Sequence, residues 1–173
     1  MSLASRRALT WVALVALLGG FAACAAAAEL EGRVVAIRDG DTIDLLTLES
    51  VRVRVRLAGI DAPETGQPYG SAAKRGLSAL TYRQHAHVAW VKHDDYGRIV
   101  GTVYVRGTDI NLQMIERGLA WHYRAYAAEQ GGYDRRRYAA AEASARSQRL
   151  GLWRDANPVP PWEYRRAFGA RTP

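Results

Sequence analysis

Asp41, Asp61 and Glu64 are the residues whose types and spacing could do chemistry. Asp61 and Glu64 stand three positions apart in the loop Gly59-Ile60-Asp61-Ala62-Pro63-Glu64, and Asp41 closes the segment Asp39-Gly40-Asp41. Carboxylates at a strand end beside a third on a neighbouring hairpin suit a hard cation. Calcium takes oxygen from carboxylates, carbonyls and water in irregular geometry, so Asp41, Asp61 and the Ala62 carbonyl could hold it, and so sparse a set implies weak binding. The other half of the requirement is arginine. Arg56 enters the carboxylate loop, and Arg98 follows the turn Asp94-Asp95-Tyr96-Gly97. A guanidinium offers phosphate a planar fork of donors. Phosphodiester hydrolysis gathers negative charge on the equatorial oxygens, where preformed cationic donors act on the transition state more than on the ground state. Singly, each string also has an ordinary reading: Asp39-Gly40 as a hairpin turn, the second segment as a polar loop, Arg98 as a solvated residue.

The elements that must position these groups can be read around them. Gly32 to Ile37 is a β-branched run that stops at Asp39-Gly40, a dipeptide favouring a tight hairpin turn, and Thr42 to Thr47 reads as its partner strand. Val51, Val53, Val55 and Leu57 alternate with Arg52, Arg54 and Arg56, which puts aliphatics on one face and arginines on the other. His87 to Lys92 and Arg98 to Val105 form a second strand pair, and five strands with turns between them predict a small closed or partly closed barrel. Strand parity sends Arg56 and Asp61 to opposite faces. Their convergence therefore requires a bend or bulge, for which Gly59 is the natural place. Helices are predicted over Ser71 to Tyr82, Asp109 to Leu119 and Arg135 to Leu150, and Pro158, Pro160 and Pro161 predict an extended tail.

The whole chain has 173 residues and a formal charge of +7, which allows one ordinary core and favours polyanionic partners. Arg6 and Arg7, the apolar run Leu9 to Phe21 and the alanines up to Ala28 read as an export signal over residues 1–28, with the domain over 29–166 and a tail over 167–173. The expected location is periplasmic or secreted. Cys24 is the sole cysteine, and Phe21-Ala22-Ala23-Cys24 is similar to a lipobox, so Cys24 is either a lipidated N-terminus anchoring the protein to a membrane or part of a segment cut away. The domain itself contains no disulfide and depends on packing. No protein partner is implied, and a monomer is expected.

Asp-Gly-Asp-Thr at 39–42, Val-Arg-Leu-Ala-Gly-Ile-Asp-Ala-Pro-Glu-Thr at 55–65 and Asp-Tyr-Gly-Arg at 95–98, in this order with strands between them, resemble the staphylococcal nuclease family. Gly118-Leu119-Ala120-Trp121, Gly151-Leu152-Trp153 and Pro160-Pro161-Trp162-Glu163-Tyr164-Arg165 are similar to its bacterial secreted members, so the likeness spans about residues 32–166. It implies an α+β fold, an OB-type five-stranded barrel with three helices, and calcium-dependent hydrolysis of DNA or RNA that leaves 3′-phosphates. Asp41, Asp61 and the Ala62 carbonyl would then bind calcium, and Arg56 and Arg98 would contact the scissile phosphate. Glu64 would orient or deprotonate the attacking water. Tyr96 would lie beside the base or terminal phosphate, and Tyr123 or Tyr126 would stack on a base. The chain departs from the family pattern at Asp95, which stands where the family has a lysine, and in the short loop after Glu64. The competing reading is a noncatalytic OB-type module that binds single strands by aromatic stacking and a basic groove. Such a module has no use for carboxylates facing its own phosphate ligand.

Overall fold

Alternating side chains become the inside and outside of a closed barrel. The computed structural model describes residues 28–169. Strands β1 (Ala28–Ile37), β2 (Thr42–Thr47) and β3 (Arg52–Leu57) form an antiparallel meander, and β5 (His85–His93) and β6 (Ile99–Val105) extend it from the other edge of β1. A parallel pairing of β3 with β6, Val55 opposite Ile99, closes the five strands into a barrel. Register shifts in β1 between Val34 and Ala36, and in β5 between Trp90 and Lys92, supply the local kinks a small barrel needs in order to coil. Three two-residue strands complete the set: β4 (Ile60–Asp61), β7 (Thr108–Asp109) and β8 (Trp121–His122). This is the closed barrel expected from the strand pattern and the α+β, OB-type arrangement that the family resemblance implies.

Val34, Ile43, Leu45, Val55, Val88 and Val103 fill the barrel and are fully buried. Helix α1 (Gly70–Thr81) buries Ala73 and Leu77 in the same core, and α2 (Ile110–Glu116) adds Ile110, Met114 and Ile115. Truncating any of the large aliphatics to alanine would cost about 2–5 kcal/mol. The α2 start is capped by the Asp109 side chain, which accepts from the Leu112 amide at 2.9 Å and also takes the Tyr138 hydroxyl at 3.1 Å from α3 (Gly132–Ser147). Asn111, buried in α2, accepts from the Val103 amide and donates to the carbonyls of Ala58 and Gly101. It thereby fixes the end of β3 against β6, immediately before the carboxylate loop.

Two expectations change. Gly40 does not make a two-residue hairpin turn: residues 38–41 link β1 to β2, and Gly40 is not among the glycines with positive φ. It is needed for close approach, since a Cβ there would lie 2.6 Å from the Ala62 Cβ and 2.7 Å from that of Ala73. The proline-rich tail is also not wholly extended. Pro160 precedes a fourth helix, α4 (Pro161–Phe168), whose first position is Pro161, where a proline ring presets φ and the missing N–H costs nothing. Glu163 in its first turn and Arg165 and Arg166 in its last complement the helix dipole. Cys24 and all of the expected export segment except Ala28, which begins β1, lie outside the described residues.

Candidate active site

Asp41, Arg56, Asp61 and Glu64 meet at one corner of the barrel, and the backbone explains why. Arg56 on β3 pairs with Thr42 on β2, so its side chain emerges beside Asp41, whose carbonyl accepts from the Leu57 amide. The chain then turns at Gly59, φ 71°, and β4 runs back to pair with β8, Asp61 opposite Trp121. Residues other than glycine seldom adopt such a φ, and a Cβ at this position would sit 2.2 Å from Gln130 Nε2. This is the bend that strand parity required at Gly59.

Arg56 stitches the turn together from inside. Its Nη1 donates to the carbonyls of Leu57 at 2.9 Å and Ile60 at 3.0 Å, while Nη2 lies 3.1 Å from both Asp41 Oδ2 and Asp61 Oδ1. Asp41 Oδ2 also accepts from the Ala62 amide at 2.8 Å, which brings the Ala62 peptide into the same corner. Glu64 is set by its backbone: its amide donates to Gln67 Oε1 at 3.0 Å, and the Gln67 side chain donates in turn to the Val159 carbonyl at 2.7 Å. Gly70 opens α1 against the Glu64 carbonyl, where a Cβ would come within 2.0 Å.

Arg165 was not foreseen as a site residue. From α4 its Nη2 lies 2.8 Å from Asp61 Oδ2, and its Nη1 lies 3.2 Å from Asp61 Oδ1 and 2.6 Å from Glu64 Oε1. The usable signal was Pro160-Pro161 as a helix start, which places Arg165 one turn in.

Electrostatically the corner is short of positive charge at Asp41. Burial pushes the Asp41 carboxyl up to about 8; Arg56 offsets part of this, and the like charges of Asp39 and Asp61 add to it. A buried carboxylate that would rather hold a proton is a place where a cation of suitable chemistry is welcome. Among the described residues no three His, Cys, Asp or Glu side chains form a cage of their own. A hard cation on Asp41 and Asp61 would complete its shell with the Ala62 carbonyl and water, and the donor set, all oxygen, fits calcium.

Arg98 and Tyr96 lie at the β5–β6 turn. Asp94 accepts from Arg98 Nε at 2.6 Å and from the amides of Tyr96 and Arg98, and the Arg98 guanidinium lies 5.3 Å from the Tyr96 ring centroid. Among the described residues Arg98 makes no ion pair with the carboxylate corner. Tyr96 does face a cleft of about 1020 Å³ whose walls include Trp121, Tyr123, Trp162, Arg165 and Arg166. Tyr123 stacks on Trp162 at 5.4 Å with the rings 20° apart. Tyr126 lies 5.1 Å from Tyr123, is half exposed and carries Lys92 over its ring at 4.9 Å. Trp121 on β8 and Trp153 pack edge to face at 4.4 Å, and both are buried.

Comparison with known proteins places the chain in a family. The family model described as staphylococcal nuclease homologue matches residues 54–155, which include Arg56, Asp61, Glu64 and Arg98 and exclude α4. A micrococcal nuclease of Shigella flexneri is 46% identical over 149 residues, covering 81% of this chain and 83% of that protein. An uncharacterized endonuclease of Haemophilus influenzae is 40% identical, covering 78% of this chain and 72% of its own length. A staphylococcal-like nuclease of Arabidopsis thaliana is 40% identical over 115 residues, 66% of this chain and 34% of that protein. On the match to more than half its length and on these relatives, the chain belongs to the staphylococcal nuclease homologue family.

Proposed function

We propose that the protein is a calcium-dependent nuclease that hydrolyses phosphodiester bonds in DNA, RNA or both and leaves 3′-phosphates. The observation that carries this reading is the Arg56 nitrogen 3.1 Å from each of two buried aspartates, with Glu64 drawn to the same corner through Arg165. Relatives named as a micrococcal nuclease and an endonuclease support it.

Bound to Asp41, Asp61 and the Ala62 carbonyl, calcium would supply Lewis acidity and charge neutralisation at a phosphoryl oxygen. The chain's own groups do the rest. Glu64 holds a water for in-line attack and takes up its proton. Arg56, already desolvated, meets the charge that builds on the phosphoryl oxygens, and Arg98 joins it on leaving Asp94. The new bond joins water oxygen to phosphorus, the bond to the 5′ oxygen breaks, and that oxygen takes a proton from solvent, giving a 3′-phosphate and a 5′-hydroxyl. Tyr96 and Tyr123, in the adjoining cleft, offer faces for the neighbouring base, with Tyr126 behind them.

Export to the periplasm or medium fits this reading, because weak cation binding suits a calcium-rich compartment. The mass of the mature N-terminus tests it: a start near Glu29 or an acylated Cys24 supports export, and an intact Met1 in the protein recovered from its host contradicts it. Activity is tested by incubating the protein with DNA and with RNA, in calcium and in excess chelator. Cleavage in calcium, abolished by chelator, with phosphate on the 3′ ends is expected. Undiminished cutting in chelator would overturn the metal requirement, and no cutting of either polymer would overturn the nuclease reading.

A further inference from the structure

Arg165 occupies the carboxylate that the proposed cation needs. Its guanidinium grips Asp61 with both terminal nitrogens and bridges to Glu64. Asp61 Oδ1 also accepts from Arg56 Nη2. A carboxylate oxygen offers about two lone-pair directions. Two guanidinium donors therefore fill Asp61 Oδ1, and Oδ2 keeps a single open direction beside a positive charge. A divalent cation at Asp61 must either displace Arg165 or sit next to it at a Coulombic cost.

Nor is Arg165 a loose surface side chain. Trp162, three residues earlier on α4, stacks on Tyr123 and meets Trp121 edge to face at 5.5 Å, and Gln67 ties the Glu64 loop to the Val159 carbonyl just before the helix. The helix is thus docked on the loop that carries Asp61 and Glu64, and it lies beyond the 54–155 stretch matched by the family model.

We propose that Arg165 is a positioning residue which orients Glu64 and competes with the divalent cation for Asp61, so that α4 sets the cation affinity of the site. The inference rests on the functional reading above. Metal-free, the guanidinium holds the two carboxylates together. With the cation bound it shifts weight to Glu64, keeping that carboxylate turned towards the attacking water.

The test is a calorimetric titration of calcium alone into the full chain and its Arg165→Ala and Arg165→Lys variants, beside nuclease assays at saturating calcium. Arg165→Ala is expected to bind calcium about 10-fold more tightly, since a competing unit charge is gone. Its turnover should fall about 10- to 100-fold at little changed KM, because Glu64 has lost its partner. Lysine can pair with one carboxylate at a time, so Arg165→Lys should lie between alanine and wild type in both measurements. Calcium affinity in a folded Arg165→Ala protein equal to or weaker than wild type overturns the proposal. If that variant does not fold, Arg165→Lys decides by the same criterion. Wild-type protein that cuts with calcium while the variants bind no tighter sinks this inference alone; wild-type protein that neither binds calcium nor cuts sinks the functional reading and this one with it.

Discussion

Asp41, just before β2, and Asp44, within it, lie three residues apart, both buried, and their surroundings drive them in opposite directions. Asp44 pairs across the ladder with Arg54 and also receives Arg38, so two arginines serve one acid. Burial alone would raise its carboxyl, but the hydrogen bonds and charges of Arg38 and Arg54 hold it below the usual range. Asp41 shares the single Arg56 with Asp61 and has Asp39 as a neighbour, and burial raises it. The same residue type on the same hairpin is a closed ion pair in one place and an open one in the other. Surplus arginine makes structure; surplus carboxylate, with guanidiniums at its edge, makes room for a cation and a phosphate.

That contrast can be broken most sharply at the open corner. Glu64→Gln should lower turnover by about 100-fold or more while KM for an oligonucleotide changes little, because the amide keeps the shape and loses the base. Steady-state kinetics at saturating calcium check this, and turnover within twofold of wild type would remove Glu64 from the mechanism.

The closed pair should behave otherwise. Asp44→Asn should leave turnover unchanged and cost about 2 kcal/mol in urea unfolding at neutral pH, the scale of hydrogen bonds to a charged group. The sign of its pH dependence follows from the lowered carboxyl. Its stabilisation is present above the ordinary carboxylate pKa of about 4 and fades as pH falls through the depressed value, so variant and wild type should converge in acid. For metal-free protein Asp41 acts in the reverse sense: its raised carboxyl makes the fold lose stability as pH rises from about 4 towards its folded value. Asp41→Asn should therefore gain on wild type with rising pH. Parallel pH–stability curves for the two variants would dissolve the distinction.

Much of the open corner was legible in the sequence because strands announce themselves by alternation. Val51 to Leu57 could be only a strand, and its parity already demanded a bend before Asp61, which Gly59 supplies. Gly40 was misread because Asp-Gly is common in tight turns, whereas its use here is a contact with Ala62 and Ala73 from distant segments, which no local pattern carries. Arg165 was hidden for a similar reason. It lies 104 positions from Asp61, and the prolines before it read as helix breakers although Pro161 is the first residue of the helix. Arg98 was expected beside the phosphate from its motif, and its present partner Asp94 is the first residue of the same turn.

The two buried aspartates thus differ in kind, Asp41 being the proposed cation ligand and Asp44 a structural partner of arginine. Calorimetric titration of calcium into wild type, Asp41→Asn and Asp44→Asn tests it most directly. Wild type and Asp44→Asn should bind alike, within about twofold, and Asp41→Asn should lose about 100-fold in affinity, as expected when one of two anionic ligands is neutralised. Unchanged calcium affinity in Asp41→Asn would contradict the account.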